Sequence, residues 1–455
     1  MDTNLSDLFA ARSQMGLSLA FHIVFAVAGM AMPLLMVIAE WSWLKHKDQE
    51  ALYLAKKWSK GTAILFAVGA VSGTALSFEL GLLWPRFMEL AGPIIGVPFS
   101  LEGAAFFLEA IALGIYLYGW EKVSPWIHWL SGVIVLISGT LSGLFIVAAN
   151  GWMNTPTGFE WVNGEAINVD PWAAAMNPSA LQQGVHMVIA AFTALGFAVA
   201  GIHAQRLLKN PGIAFHQRAL KIALAVGAVA ALIQPISGDL LAKHVARTQP
   251  VKLAAMEGQW ETEKAAPLRI GGIPFEDEEE TKYSIEIPYL LSILAFADPQ
   301  AEVKGLKAFP KEDRPPVAVT HFAFQIMVGL GTLLMLIGAI GLWGIWRRHS
   351  ILDQPLFLKA LVVCSPMGLL ALEAGWVVTE VGRQPWIIHG IMRTKDAVTP
   401  LPGLAIPFIG FMILYFILGI VSVTLLKRHV FDLDQELGLD TSASSFKQDQ
   451  AQKEA

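Results

Sequence analysis

The run WIHWLSGVIVLISGTLSGLFIVAA, residues 126–149, contains no Asp, Glu, Lys or Arg. About 20 such residues, rising about 1.5 Å each, cross a hydrocarbon core of about 30 Å. Lipid offers no partners to backbone N–H and C=O groups, so a crossing segment has to be helical, and glycines within it do not break the assignment. On either side of it, comparable runs fall near residues 16–39, 61–83, 97–119, 181–205, 219–238, 317–345, 358–380 and 402–426, nine in all with the first. The expected fold class is all-α: a polytopic integral membrane protein with about nine transmembrane helices in a bundle.

Composition agrees with that reading. The chain of 455 residues is 55% hydrophobic and 15% charged, against roughly 25% charged in soluble domains. One cysteine, Cys364, sits in an apolar run, which excludes a disulfide framework and a thiolate metal cluster within the chain. A bound metal would have to use His, Met, Glu or Asp. The net charge of -5 comes without a basic block, which argues against nucleic acid as a partner. The start, MDTNLSDLFAARSQ, lacks the basic and short apolar regions of a cleaved signal, so the first apolar helix is expected to direct insertion.

Lys and Arg stay preferentially on the cytoplasmic side of short connections. With the N-terminus outside, 17 of the 32 fall in cytoplasmic segments and five in short outer ones (Arg12, Arg86, Arg383, Arg393 and Lys395). The remaining ten lie in the long segment 239–316, where the rule has little force. The expected organisation is helices 1–6 over 1–238, a long extracytoplasmic loop over 239–316, helices 7–9 over 317–426, and a frayed cytoplasmic tail over 427–455. No repeat of the kind that builds transporter halves is evident.

Ionisable groups inside a bilayer are costly and mark functional candidates. By depth, His22, His186, Met327 and Glu380 come from four different helices yet fall in the outer half of the membrane. Histidine nitrogen and methionine sulfur are haem axial ligands, and a His/Met pair suits a low-spin electron-transfer haem; His186 with Met327 fits. A lone His or carboxylate leaves one iron face open, which suits His22 and Glu380. Each also has a plain packing role open to it, Met327 above all as a gap-filler, and His128, His203, His321 and His389 are read as packing residues. Glu102 and Glu109, seven residues apart, share a helix face. Together with Ser142 they form either a proton ladder or a pair of neutral carboxyls that fix packing. Glu373, Glu380 and Arg383 gather at a helix end beside Trp376 and Trp386, with Arg383 spaced to pair with Glu380 or to hold a haem propionate.

The sequence resembles subunit I of the cytochrome bd quinol oxidases over nearly its whole length. His22, EGAAFFLE, AANGWMNTP, GVHMV, VKLAAMEGQWET, FQIMVG and GRQPW follow in the family's order, and VGRQPW after GWVVTE is the most specific. The resemblance implies three haems: a low-spin haem b on His186 and Met327, and two high-spin haems on His22 and Glu380, one a haem b and the other a haem d or a further haem b. It places Glu102 close to the high-spin pair and Arg12 at a haem site. It also assigns Lys252 and Glu257 to quinol oxidation, with 239–316 as the quinol loop. Implied partners are a quinol, dioxygen and a second membrane subunit, with a small single-helix subunit left open. The implied location is the bacterial cytoplasmic membrane. The short link between Leu306 and Pro315 matches the short-loop branch, Gln325 stands where many relatives have Arg, and SFELGLLWPRF resembles the cyanide-insensitive branch. A cofactor-free secondary transporter would share the helices and buried carboxylates. A di-haem relay would show paired histidines on the same helices, which are absent.

Overall fold

In the computed structural model of the protein, residues 5–347 and 350–431 are described; the tail expected to fray lies, from residue 432 onward, outside them. Among the described residues nine helical spans are long and apolar enough to cross a membrane. They are α1 (Leu5–His46), α2 (Gln49–Leu83), α3 (Pro85–Tyr118), α4 (Pro125–Asn154), α5 (Ala180–Lys209) and α6 (Ala214–Thr248), and, after a short loop helix α7 (Pro250–Glu257), α8 (Val317–Arg347), α9 (Pro355–Cys364) with α10 (Met367–Val381), and α11 (Ala405–Leu426). The eighth span is thus two helices meeting at Ser365 and Pro366, where the missing proline N–H removes a helical hydrogen bond.

The spans outrun the apolar runs that announce them. At about 1.5 Å per residue α6 is about 50 Å long, well beyond a core of about 30 Å. Its last turns, residues 239–248, are therefore helix and not loop as expected, and Asp239 and Lys243 pair across one turn there at 2.6 Å.

Small residues let the helices touch. A Cβ on Gly196 of α5 would stand 2.4 Å from the Gly227 Cα of α6, one on Gly201 would stand 2.4 Å from Ser365 Cβ, and one on Gly368 would stand 2.5 Å from Ala194 Cα. Each of these contacts holds a neighbouring segment close against α5, which therefore sits at the centre of the bundle. The main apolar core lies around it, with Leu35 and Met36 of α1, Leu54 of α2, Phe197 of α5, Leu220 and Leu224 of α6 and Leu361 of α9.

Contacts between connections sort the helix ends onto two faces. On one, Asp7 accepts the N–H groups of Gly403 and Leu404, Thr399 N–H donates to Leu83 O, and His389 N–H donates to Met153 O. On the other, Arg218 pairs with Asp48, Gln217 donates to Asp353, and Arg206 donates to Phe431 O. The first face also carries α7 and the antiparallel hairpin β1 (Leu268–Phe275) with β2 (Glu280–Ile287). His321, fully buried on α8, anchors both: its two ring nitrogens lie 2.8 Å from Met256 O and 3.0 Å from Gly271 O.

Because the atoms that a Cβ on Gly196 would meet are backbone, they cannot swing aside. Gly196→Val is expected to destabilise the protein by about 1–3 kcal/mol or more, lowering its thermal unfolding midpoint in detergent. Gly16→Ala, with nothing within 4 Å of the added Cβ, is expected to leave the midpoint unchanged or slightly higher.

Candidate functional site

Under the face that carries α7, polar side chains join into one line. Lys252 of α7 donates from Nζ to Asn154 Oδ1 at 2.6 Å, and Gln249 Nε2 reaches the Asn154 backbone oxygen at 2.7 Å. One turn away on α4, Asn154 Nδ2 donates to Asn150 O at 3.0 Å and Oδ1 at 3.3 Å. Asn150 Nδ2 in turn donates to Glu380 Oε1 at 2.5 Å, and Arg383 Nη2 donates to Glu380 Oε2 at 2.6 Å. The four-residue spacing of the two asparagines puts both on the same face of α4, which is how one helix bridges α7 and α10. Arg383 is buried, and its Nε and Nη1 find no partner among the described residues. Arg12, by contrast, is exposed, on the wall of a cavity of about 520 Å³ that it shares with Gln384, Arg314 and Arg393.

His22 on α1 and His186 on α5 each turn Nδ1 to a serine, Ser72 Oγ at 2.9 Å and Ser237 Oγ at 3.0 Å. Met327 of α8 packs with Met256, Ala374 and Val378, and a Cβ on Gly375 would lie 3.1 Å from its sulfur. Trp376 packs in a cluster with Leu19 and Ile23 beside His22, with Met187 beside His186, and with Leu372. Both histidine-bearing helices contribute to that cluster, α1 through Ile23, Val27 and Met30 and α5 through Ala191 and Ala194.

Glu102 and Glu109 of α3 both face α4, as their spacing requires. Ser142 Oγ donates to Glu102 Oε1 at 3.3 Å, and a Cβ on Gly139 would stand 3.1–3.3 Å from the Glu109 carboxyl. Glu109 is the more deeply buried of the two.

The loop groups are buried as well. Burial pushes the Glu257 carboxyl up to about 8, partly opposed by Arg269. Burial, helped by the charge of Arg383 and opposed by Glu380, pushes the Lys252 ammonium down to about 7. Oε2 of Glu257 has no partner among the described residues, and Gly258, at φ 61°, ends α7 right after it. A turn in that left-handed region favours glycine.

Residues 10–432 match the family described as cytochrome bd terminal oxidase subunit I. The chain belongs to that family. It is 37% identical over 440 residues (94% of this chain, 99% of the relative) to a Bacillus subtilis (strain 168) protein provisionally named cytochrome bd menaquinol oxidase subunit I. It is 33% identical over 441 residues, 94% of each chain, to the cytochrome bd ubiquinol oxidase subunit 1 of the same strain. Among solved structures it resembles the bd oxidase from Geobacillus thermodenitrificans with a TM-score of 0.88 and 39% identity, covering 93% of this chain and 98% of that one.

Haem cofactors go with a cytochrome bd subunit, and the residues present fit them. The donor set offers imidazole, thioether and carboxylate groups, all of them haem ligands or near relatives of such ligands. Glycines stand against three of the four: a Cβ would lie 3.0 Å from the His22 ring at Gly73, 3.4 Å from the His186 ring at Gly238 and 3.1 Å from Met327 Sδ at Gly375. The two unpartnered Arg383 donors are of the kind that take a propionate. Sequence reasoning carried Asn150 and Asn154 only within the motif AANGWMNTP, without a role, and passed over Gln249, Ser72 and Ser237, whose types are common in any chain. It also passed over Glu79, buried on α2 and bonded by Ser18 at 2.8 Å and Tyr415 at 3.4 Å.

The two loop groups act on stability with opposite signs. A folded carboxyl that keeps its proton up to about 8 loses stability as pH rises from its ordinary value of 4.5, and an ammonium that gives up its proton at about 7 regains stability as pH rises from there toward 10.5. Stability of the cytochrome bd subunit is expected to fall toward neutral pH, flatten near 7–8 and rise above it. Glu257→Gln should lessen the acid-side fall and Lys252→Met the alkaline rise, read from unfolding midpoints across pH.

Proposed function

We propose that this face of the bundle is the haem-bearing, quinol-oxidising centre of a terminal oxidase that reduces dioxygen to water. The observation that carries the reading is the line Lys252, Asn154, Asn150, Glu380, Arg383, which ties the loop lysine to the half-buried Glu380 carboxylate through three hydrogen bonds and that carboxylate to Arg383 through a fourth. His186 and Met327 are the ligands of a low-spin haem b, and His22 and Glu380 those of two high-spin haems, one of them a haem b and the other a haem d or a further haem b. When bound, the haems supply electron transfer and the reduction of dioxygen.

The chain's own side chains handle the quinol and the protons. Lys252 and Glu257 bind the quinol and receive its hydroxyl protons. Glu257, which burial keeps protonated up to about 8 and which has one oxygen still unpartnered, passes its own proton outward and takes one from the quinol in its place. Arg383 and Arg12 hold carboxylate groups of the cofactors, and Trp376 packs in the cluster to which both histidine helices contribute. Glu102, Ser142 and Glu109 line a route on the faces of α3 and α4 by which protons reach the site from the other face. The excess of Lys and Arg marks that other face as cytoplasmic. Protons released outside and taken up from inside generate a proton motive force without a pumping element.

The partners are a second membrane subunit and a membrane quinol. The relatives' names divide between menaquinol and ubiquinol. A small single-helix subunit would find room on the apolar outer surface of the spans.

Met327→Leu keeps the volume and removes the sulfur, so it is expected to alter the low-spin haem spectrum; an unchanged spectrum would exclude Met327 as a ligand. Glu257→Ala is expected to cut quinol turnover by a factor of about 10² or more while sparing oxidation of artificial donors. Equal loss with both donors would remove Glu257 from the quinol site.

A further inference from the structure

His22 and His186 lie on different helices, against different neighbours, in the same surroundings. Each points Nδ1 at the hydroxyl of a serine on the next helix, and in each the residue after that serine is glycine: Ser72-Gly73 on α2 and Ser237-Gly238 on α6. Both serines are buried. Both hydroxyls reach back to their own helix, Ser72 to Val68 O at 2.9 Å and Ser237 to Gln234 O at 2.9 Å. The glycines lie against the Cε1 carbons of the two rings, where a Cβ would stand 3.0 Å away at residue 73 and 3.4 Å away at residue 238. Such proximity of ring to helix is what brings Nδ1 within reach of the serine.

A hydroxyl has one proton to give. With that proton on a helix carbonyl, the serine oxygen can only accept from the imidazole, so Nδ1 carries the hydrogen and Nε2 keeps its lone pair. At His186 the Gln234 amide nitrogen, a donor, lies nearer to Nε2 at 3.0 Å than to Nδ1 at 3.3 Å, as a lone pair on Nε2 favours, and it gives up that place when Nε2 binds a metal. Histidines that bind metals commonly donate their other N–H to an acceptor that fixes the tautomer and raises the basicity of the ligating nitrogen. An acceptor whose own hydroxyl is bonded onward is polarised toward that role.

We propose that Ser72 and Ser237 are positioning residues that hold the Nδ1–H of His22 and His186, each aided by the glycine that follows it, so that both rings present Nε2 to a haem. The inference rests on the ligand assignment proposed above for the two histidines. The two serines set the donor strength of their histidines, and through it the electronic state of each haem, without touching either cofactor.

The test uses the purified complete oxidase with its partner subunit, in Ser72→Ala, Ser72→Thr, Ser237→Ala, Ser237→Thr and His186→Ala forms. A serine that merely bonds to its own helix, as serines in membrane helices often do, would leave haem properties untouched. The proposal expects the low-spin haem of Ser237→Ala to show a raised reduction potential, because a less basic imidazole stabilises the oxidised state less, and expects Ser237→Thr to return toward the parent. It expects the iron–histidine stretching band of the reduced high-spin haem to fall in frequency in Ser72→Ala and to recover in Ser72→Thr. Loss of a haem in an Ala variant with retention in its Thr counterpart also supports it. Parent-like values in both Ala variants, or equal loss in Ala and Thr, overturn it. His186→Ala separates the two levels: if it retains the low-spin spectrum, the ligand assignment has failed; if it loses that spectrum while Ser237→Ala matches the parent, only the role of the serine has.

Discussion

Every polar group that these helices carry into the bilayer has to find its partner inside the protein, because hydrocarbon provides none. This constraint organises the molecule. It turns the backbone into helices, and it forces the few deep polar side chains into contact with one another. The result is a set of closed contacts: Asn154 and Asn150 between Lys252 and Glu380, Ser142 on Glu102, Ser18 and Tyr415 on Glu79. The set is not complete: Glu40, Glu79, Glu257 and Glu373 each keep one carboxyl oxygen, and Arg383 two nitrogens, without a partner among the described residues. Of these, Arg383 and Glu257 stand where the proposed function needs a donor or an acceptor to be free.

The packing serves the same end. Central α5 meets α6, α9 and α10 through glycines, alanines and a serine, which fixes by close backbone approach the helix that carries His186. The connections then tie helix ends together on the face bearing α7, and His321 holds the loop helix and the hairpin to α8. A site built in this way draws its rigidity from helices and only its proposed quinol-binding groups from a loop. That division suits a centre whose cofactors stay fixed while a substrate comes and goes.

Much of this was legible in the sequence. The nine spans follow from apolar length, and the facing of Glu102 and Glu109 follows from a spacing of seven. The Glu380 to Arg383 pair follows from a spacing of three, and the family from the order of its motifs. The illegible part depends on neighbours distant in the chain. The helical run over 239–248 escaped because its polarity reads as loop, although a helix extends past the lipid wherever its side chains reach water. Asn150 and Asn154 could be seen as a motif but not as a bridge, since their partners lie some hundred residues or more further on. The serines escaped for a plainer reason: only the position of an imidazole on another helix distinguishes them from the many serines that bond to their own backbone.

The proposed function comes down to a meeting in space: side chains from four separate helices are to converge near the face that carries Lys252 and hold haem there. A density map of the haem-loaded oxidase decides whether they do. One iron is expected between His186 and Met327 and two more on His22 and Glu380, all on the side of the molecule that carries α7. Irons bonded to other side chains, or lying toward the face of Asp48 and Arg218, would refute that arrangement.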